Sequence, residues 1–333
     1  MNNSFAKRLL RVLAWVIYAA LGVGIIWGVI SLVRLNGPVF FVQAIVDGIR
    51  LGFVYALVAL GYTMVYGIVR LINFAHGDVF MVGAFTSFYA ITHYQWGFVP
   101  AILLSMAVCS FLNIIIERVA YKPLREAPRI AALITAVGVS FFLEYFTALK
   151  WVFGPDFITY NRPFEVVVWD IGGVLISNIT VIIAVVATLL LLGLQYVVFR
   201  TKIGKAMRAT ALDKPTARLM GINVDSTISL TFALGAALAG AAGVLYAIAY
   251  PQIWTFMGIM PGLKAFVAAV LGGIGNLFGA FVGALLMGSI DVLVVSFVPT
   301  GSRLRDLIAF LVLIAVFLIK PAGIFGKAEI EKV

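Results

Sequence analysis

Six charged residues lie within otherwise apolar stretches of the sequence, where they could bind a charged group or pair with one another: Asp47, Arg50, Glu117, Glu144, Lys264 and Asp291. A charge is costly in hydrocarbon, so such residues face a protein interior or a polar pathway. Asp47 and Arg50 are three positions apart, a spacing that predicts an ion pair on one helix face. Glu117 borders a charged turn and is expected to reach water. Glu144 lies deepest, either contacting a substrate or fixing a neighbouring helix.

Polar residues also interrupt the apolar pattern in the segment NFAHGD, residues 73–78. The imidazole of His76 could titrate near neutral pH or serve as a hydrogen-bonded structural group. In the other half of the chain, glycines and an asparagine break a second apolar run at residues 272–276. Paired Gly-interrupted segments are typical of transport pathways built from discontinuous helices. The residues predicted to line such a pathway are Asn73, His76, Asp78, Glu144, Gly273, Gly275 and Asn276.

Close helix packing is the other use for glycines in this chain. Small residues recur every four positions in two series, at 235, 239 and 243 and at 275, 279 and 283. Small residues at that spacing let helix backbones approach closely in a membrane. Packing is therefore predicted for both series, and a break at 272–276 is compatible with either use.

Several chemistries have no sequence signature here. The nucleotide-binding pattern G-x-x-x-x-G-K-[ST] is absent, as are H-E-x-x-H and G-x-S-x-G. Histidine occurs only at His76 and His93, and Cys109 is the single cysteine, so neither a metal cluster nor an intramolecular disulfide is indicated. We expect no enzymatic activity, no catalytic residue, no metal and no cofactor bound by the chain itself.

Composition places the chain in a membrane. Hydrophobic residues make up 63% of it and charged residues 11%, with a mean hydropathy of +1.11. A soluble protein of 333 residues could not cover its surface with so few polar groups, so we expect a polytopic membrane protein in contact with the lipid bilayer. Basic patches interleaved with aromatic residues are absent, which argues against a nucleic-acid partner.

The pattern of apolar runs predicts an all-α fold with about ten transmembrane helices, some of them discontinuous, in a single domain of residues 1–333. The run at 40–68 exceeds the ~20 residues that a membrane requires, which predicts a tilted or broken helix. Residues 154–178 form the longest polar loop, and FEVVVW, DIGG and VLIS within it predict a β-hairpin. The predicted spans are 12–33, 40–68, one resuming after Asp78, 99–119, 130–153, 179–199, 227–249, two within 263–297, and 307–319.

The distribution of basic residues predicts the orientation. With ten spans, seventeen of the 24 Lys and Arg residues fall on the side of both termini and six on the other. Basic residues accumulate in cytoplasmic loops, so both termini are expected in the cytoplasm and the 154–178 loop outside. The run at 12–33 is too long for a typical signal peptide and is predicted to be a retained first span.

The largest group of basic residues lies in a polar segment between two apolar runs, residues 200–225, which we call the basic loop. Asp213 can cap a helix N-terminus, Pro215 suits a first helical turn, and Gly221 can end a helix in the left-handed conformation. The loop therefore holds either a short helix on which another protein acts, or a basic segment that only sets topology.

Several blocks, in the same order, resemble the LivH-type permease of bacterial branched-chain amino acid ABC importers. The resemblance runs from about Val42 to the C-terminus, so the 12–33 span is an addition to the shorter family members. The matching blocks are LGFVYALVALGYTMVYGIVRLINFAHGDVFMVGAF, ERVAYKPLR, MGINVDSTISLTFALGAALAGAAGVL, LKAFVAAVLGGIGNLFGAFVGALLMG and KPAGIFGKAEIEKV.

The resemblance implies a multi-pass permease of the bacterial inner membrane that carries branched-chain amino acids inward. Its implied partners are a related LivM-like permease, two cytoplasmic ATPases that bind ATP and Mg, and a periplasmic substrate-binding protein. Arg162, Arg303 and Arg305 are implied to dock the binding protein. The basic loop would hold the coupling helix, with the family's Ala-x-x-x-Gly pattern at Ala217 and Gly221. Its coupling residues would be Asp213, Pro215, Thr216, Ala217, Arg218, Leu219, Met220 and Gly221.

Three other functions stay open on the sequence. Urea and amide permeases share much of this pattern, so the substrate could be one of those or another amino acid. A secondary transporter or channel acting alone would need its own ion-coupling residues, for which Glu144 and Asp291 are candidates. A membrane scaffold would use the basic loops to bind anionic lipid.

Overall fold

The computed structural model describes residues 37–71, 73–125, 127–298 and 300–326. The predicted first span at 12–33 lies outside the described residues. The described chain contains eleven α-helices, and a π-helical turn (Glu117–Tyr121) and a 3₁₀ turn (Lys122–Leu124) follow the third. The helices are α1 (Pro38–Val69), α2 (His76–Thr92), α3 (Phe98–Ile116), α4 (Arg129–Thr147), α5 (Asn178–Arg200), α6 (Lys202–Leu212), α7 (Lys214–Leu219), α8 (Val224–Ala249), α9 (Ile259–Gly272), α10 (Leu277–Phe297) and α11 (Gly301–Ile319).

Six of the described helices are long and apolar enough to cross a membrane: α1, α3 with its two short turns, α4, α5, α8 and α10. The chain is thus a largely helical, multi-pass membrane protein, and the count of ten spans stays a prediction. The long run predicted as tilted or broken is one continuous helix, α1, of 32 residues. It accommodates its length without an internal break.

Helices α1 and α8 form the centre of the bundle, and most of their residues are buried. α10 packs along α1, while α2 and α3 pack along α8. A Cβ on Gly52 of α1 would lie 2.7 Å from the Cα of Leu285 on α10, and one on Gly243 of α8 would lie 2.1 Å from the Phe80 carbonyl oxygen on α2. Such close backbone approach is what small residues permit between membrane helices.

The predicted packing of the glycine series is confirmed at most positions. Gly235 faces Gly61, Gly279 faces Gly272, and a Cβ on Gly283 would lie 2.3 Å from the Ala268 carbonyl oxygen. Gly275 is the exception: it has φ +93° with open space around its Cα, so it serves a turn rather than packing.

The predicted β-hairpin is confirmed as β2 (Val168–Ile171) and β3 (Val174–Ser177), antiparallel with Val168 opposite Ser177. Two more short strands, β1 (Ile158–Thr159) and β4 (Gln252–Ile253), pair between the long loop and the end of α8. These strand pairs lie at one end of the bundle, near the start of α1 and the end of α8, which we call the hairpin end. The opposite end, with the end of α1, the turns after α3 and the basic loop, is called the basic end.

Two helix breaks divide the fold, as predicted. Arg70, with φ +60°, ends α1 at the basic end, and residues 73–75 lie inside the bundle before α2 begins at His76. The second break, at 273–276, separates α9 from α10 at the basic end. There the chain segment 321–326 folds back onto α9, and the N–H groups of Ile324 and Phe325 donate to the carbonyls of Leu271 and Gly272 at 2.8 and 3.0 Å. These bonds satisfy carbonyl groups that the end of a helix leaves unpaired.

The expectation that Glu117 reaches water is wrong. Its side chain is fully buried in the π-helical turn, where it pairs with Arg125 and accepts a hydrogen bond of 2.6 Å from Ser229 of α8. Arg125 also pairs with Asp225, so the charged turn folds over the glutamate instead of leaving it at the surface. The expected pair between Asp47 and Arg50 is confirmed, at 3.2 Å.

Candidate functional site

The first turns of α2 and α9 meet inside the bundle. Their glycines are in backbone contact: a Cβ on Gly258 would lie 2.1 Å from the Gly77 carbonyl oxygen, and one on Gly77 would lie 2.6 Å from the Gly258 carbonyl oxygen. From this point α2 runs toward the hairpin end and α9 toward the basic end. Gly61 of α1, which faces His76, is eight residues from the end of α1, or roughly 12 Å at the rise of an α-helix. The two helix starts therefore meet well below the surface, with their positive dipole ends close together.

A cavity of about 260 Å³ lies beside this meeting point, between α2, α4 and the first turns of α9. We call it the carboxyl cavity. Its charged and hydroxyl groups are Asp78, Ser140, Glu144 and Tyr62. The rest of its wall is mainly apolar, formed by Phe74, Val137, Phe141, Ile259 and Leu263 with the backbone of Gly77, Gly258 and Gly262.

The carboxyl groups of Asp78 and Glu144 line the same small cavity and are close enough to interact electrostatically. Ser140 donates a hydrogen bond to Oδ2 of Asp78. Asp78 is 1% and Glu144 4% exposed, so bulk water does little to screen them. Two carboxylates this close repel each other unless a proton or another positive charge lies between them. A proton shared by the two groups, or a positively charged group such as an ammonium, would relieve this repulsion.

Two other predicted pathway residues brace the break rather than line the cavity. The Asn73 amide accepts a 2.9 Å hydrogen bond from the Tyr121 hydroxyl, and its Nδ2 lies 3.4 Å from the amide oxygen of Asn113. The buried ring of His76 packs edge-on against Tyr62, with ring centroids 4.8 Å apart. Both side chains hold the segment that carries Asp78 into the bundle.

The remaining predicted pathway residues lie at the basic end, away from the carboxyl cavity. Gly273, with φ +109°, packs against the backbone of Gly323 and Gly326. Asn276 caps α10 by accepting from the Gly279 N–H at 3.1 Å, and its Nδ2 donates to the Phe325 carbonyl. Gly275 borders a separate cavity of about 110 Å³ between α1, α5 and α6. The structure thus brings Asp78 and Glu144 together and leaves these three apart.

A buried ionic network, not anticipated as a unit, joins α1, α9, α10 and α11. The carboxylate of Asp291 accepts from Lys264 Nζ at 3.0 Å, from Arg305 Nη2 at 2.7 Å and from the Tyr55 hydroxyl at 2.8 Å. Lys264 also pairs with Asp306 at 2.8 Å. Single charges at apolar positions signalled Lys264 and Asp291 in the sequence, but no spacing rule connects residues this far apart. Ser140 was missed because a lone serine in an apolar helix carries no signal.

The arginines predicted as docking residues have different surroundings. Arg303 is exposed, whereas Arg305 belongs to the ionic network. Arg162 is partly buried, and its Nε donates to the Ile248 carbonyl at 2.8 Å. Of the three, Arg303 has the side chain most open to another protein.

The basic loop contains the predicted short helix, α7. Asp213 caps it by accepting from the Thr216 N–H at 3.1 Å and from the Thr216 hydroxyl at 2.6 Å, and these bonds hold the pKa of the Asp213 carboxyl below its ordinary value. Gly221 follows with φ +80° and open space where a Cβ would lie. Leu219 and Met220 are 88% and 77% exposed, while Ala217 is buried. The helix thus presents two large apolar side chains that the described part of the chain leaves uncovered.

A second helix in the loop, α6, was not predicted. Thr201 caps it, its hydroxyl accepting from the Gly204 N–H at 3.1 Å. Met207 is buried against the bundle, so α6 attaches the loop to the membrane helices. The cap and the apolar positions around Met207 were available as signals.

The family model for "branched-chain amino acid transport system / permease component" matches residues 44–317. The chain is 42% identical over 303 residues to the high-affinity branched-chain amino acid transport system permease protein BraD of Pseudomonas aeruginosa, covering 88% of this chain and 98% of that protein. It is 40% identical over 311 residues to the corresponding permease protein LivH of Escherichia coli K12, with the same coverage.

More distant relatives are also found. A probable branched-chain amino acid transport permease protein LivH of Methanocaldococcus jannaschii is 29% identical over 289 residues, covering 81% of this chain and 88% of that protein. The autoinducer 2 import system permease protein LsrC of Klebsiella pneumoniae is 35% identical over 136 residues, covering 39% of each. No solved structure matches the chain.

Proposed function

Since this chain belongs to the branched-chain amino acid transport permease family, we propose that it is the membrane-spanning permease subunit of an ATP-driven importer of branched-chain amino acids. The observation that supports a substrate site on this subunit is the carboxyl cavity at the meeting point of two helix starts. ATP and Mg belong to partner ATPases in this proposal, and this chain supplies the route and the coupling surface.

The cavity has a part for each group of an aliphatic amino acid. The ammonium pairs with the carboxyl groups of Asp78 and Glu144, opposite charges in a shielded space. The carboxylate faces the starts of α2 and α9, because helix N-termini attract anions. The aliphatic side chain contacts Val137, Ile259 and Leu263. In this pose the carboxyl groups, the two helix starts and the apolar wall of the cavity each contact one part of the substrate. Each charged group of the substrate then lies beside a group of opposite polarity.

The basic loop couples the permease to an ATPase in this proposal. The exposed side chains of Leu219 and Met220 enter a cleft on the ATPase, and α6 transmits the movement to the bundle. Closure of two ATPases on ATP would draw the loops of two permeases together. The second permease is a related, LivM-like subunit, and the substrate crosses between them.

We further propose the orientation that the basic residues predict. Residues 200–225 and both termini lie in the cytoplasm, residues 154–178 in the periplasm, residues 12–33 form an additional span, and the protein resides in the bacterial inner membrane. A periplasmic binding protein delivers the substrate at the hairpin end, docking on Arg303 with Arg162 and Arg305 nearby.

The test is uptake of radiolabelled leucine by the complete transporter in vesicles, with binding protein outside and ATP inside. The Glu144→Gln variant, which keeps the shape but removes a charge, should lose about tenfold or more of its uptake efficiency, the loss expected for a charge-assisted hydrogen bond. Glu165→Gln, in the exposed loop, is the matched control. Wild-type leucine uptake by Glu144→Gln would refute the role of the carboxyl cavity, and no uptake of any branched-chain amino acid by wild-type vesicles would refute the proposed function.

A further inference from the structure

A second cavity, of about 250 Å³, lies on the other side of the first turns of α9. Ile259 and Leu263 face the carboxyl cavity, whereas Met260 and Lys264 face this one. We call it the mixed-charge cavity, defined by Lys264, Arg305 and Asp306 at its polar side and by Tyr246 and Trp254 at its aromatic side. The segment 259–264 thus forms a partition between two cavities of nearly equal volume.

The polar side of this cavity carries both signs of charge. Lys264 is 4% exposed and already bonded to Asp291 and Asp306. The adjacent residues Arg305 and Asp306, in the first turns of α11, have side chains 32% and 46% exposed and present a guanidinium and a carboxylate to the opening. With Asp291, the network contains two cations and two anions, so its net charge is zero. A bound ligand with a single charge would leave the site with a net charge, whereas a zwitterionic ligand would not.

Arg305 also retains an unused donor. Its Nη2 bonds to Asp291, but its Nε–H is shielded from solvent and has no hydrogen-bond partner among the described residues. Arg50 and Arg125 have the same unpaired Nε–H, so this atom alone does not indicate a ligand. The exposed part of the Arg305 guanidinium is what a ligand carboxylate can reach, since guanidinium groups bind carboxylates through their N–H donors.

The opposite side is apolar and matches the side chain of the same ligand. Trp254, Phe256, Met257 and Met260 form it, joined by the rings of Tyr55 and Tyr246. Phe256 also packs edge-on against Tyr145 of α4, next to Glu144, with ring centroids 5.7 Å apart. The aromatic wall therefore continues from this cavity to the helix that lines the carboxyl cavity.

We propose that the mixed-charge cavity is a second binding site for an aliphatic α-amino acid, occupied before the carboxyl cavity. Arg305 binds the carboxylate, Asp306 binds the ammonium, and the aromatic wall receives the side chain. Displacement of the segment 259–264 would then pass the ligand from one cavity to the other. This site rests on the proposed function, because it receives the same substrate.

Thiol labelling measures occupancy of the site directly. Ser302 is exposed and lines the cavity, whereas Arg303, the next residue, is exposed and does not line it. The native Cys109 is fully buried, so within this subunit the introduced thiol is the reactive one, and labelling is read on the band of this subunit alone. The complete transporter carrying Ser302→Cys, or Arg303→Cys as the control, is reacted with a neutral maleimide in nanodiscs, with and without millimolar L-leucine.

We expect leucine to slow labelling of Ser302→Cys and to leave Arg303→Cys unchanged. The singly charged analogues 4-methylpentanoate and isopentylamine should protect less, since each lacks one head-group charge. Adding Asp306→Asn should raise the leucine concentration needed for protection by about tenfold or more, because a charge-assisted hydrogen bond is lost.

Equal labelling rates of Ser302→Cys with and without leucine would overturn the proposal. So would equal protection of the Ser302→Cys and Arg303→Cys thiols by leucine, or protection of Ser302→Cys by either analogue as strong as that by leucine. The same preparations are assayed for leucine uptake in vesicles. Uptake without protection refutes the second site alone, and wild-type complexes that take up no branched-chain amino acid refute the proposed function. A purely structural ionic network predicts uptake with no protection.

Discussion

At the residue scale, the contact between Gly77 and Gly258 determines whether the carboxyl cavity can form. Each glycine lies against the backbone of the other, so even a methyl group has no space. Changing Gly258 to Ala should therefore separate the starts of α2 and α9 and abolish most uptake. Overpacking a tight contact costs about 1–3 kcal/mol of stability, so the subunit should still insert with a lowered melting temperature.

Gly193 provides the matched control, because it lies in α5 with open space around its Cα. Gly193→Ala should retain wild-type uptake and melting temperature. Equal uptake by the Gly258→Ala and Gly193→Ala variants would show that the two helix starts do not need their close contact.

Arg125 and Lys122 provide a second pair of predictions at the same scale. Arg125 neutralises the buried Glu117, whereas Lys122 pairs, among the described residues, with the half-exposed Asp225 at 3.0 Å. Arg125→Met should lower the free energy of unfolding by about 3 kcal/mol or more, since it leaves a buried charge without its partner. Lys122→Met should cost at most about 1 kcal/mol, as surface pairs do. Comparable melting temperatures for the two variants would contradict this assignment.

At the element scale, α7 is the part of the fold that another protein can move. Gly221 ends it with positive φ, a conformation that costs a residue with a Cβ about 1–2 kcal/mol. Gly221→Val should leave the permease inserted, yet reduce leucine uptake or release the ATPases. Gly193→Val, within α5 and with open space around its Cα, is the control for added bulk. If the Gly221→Val preparation shows normal uptake and retains both ATPases, the basic loop sets only the orientation of the protein in the membrane and does not couple it to the ATPases.

Elements formed by interactions between neighbouring residues could be predicted from the sequence, whereas contacts between distant segments could not. Periodicity, caps and turn residues act over a few positions, and they indicated the apolar helices, the hairpin, α7 and both breaks. Interactions between distant segments were not accessible. Nothing near Glu117 in the sequence indicates that Ser229 lies beside it, and nothing near Asp291 points to Tyr55.

The carboxyl cavity shows the same limit. Asp78 was predicted from its break and Glu144 from its depth in an apolar run, but their proximity depends on the packing of α4 against α2. Gly273 and Asn276 were grouped with them because both breaks contain glycine and asparagine. The second break in fact lies at the basic end, and the helix start that reaches the cavity is that of α9, at Gly258.

At the scale of the whole molecule, the orientation can be tested with thiols at the two ends. Met220 in the basic loop and Asp170 in the hairpin are both exposed. In intact cells, an impermeant maleimide should label Asp170→Cys and reach Met220→Cys only after the membrane is permeabilised. The opposite result would invert the proposed orientation, and labelling of both thiols in intact cells would exclude the ten-span arrangement.

Docking of a binding protein also belongs to this scale. Arg303→Glu should weaken the stimulation of ATPase activity by the loaded binding protein, most strongly at low salt, because exposed charges are screened by ions. Arg305→Glu is unsuitable as a docking test, since it would also break the ionic network at Asp291. If Arg303→Glu is stimulated like the wild type at every salt concentration, docking does not use this residue.

Helix α4 forms one wall of the carboxyl cavity and has few contacts with the rest of the described chain. One face of α4 closes the cavity with Ser140 and Glu144, while Ile134, Phe142 and Tyr145 on its other faces are more than half exposed. Within the described chain, α4 packs mainly on α2 and the π-helical turn. A second subunit packed on these exposed faces would therefore set the position of α4 and, with it, the volume of the carboxyl cavity.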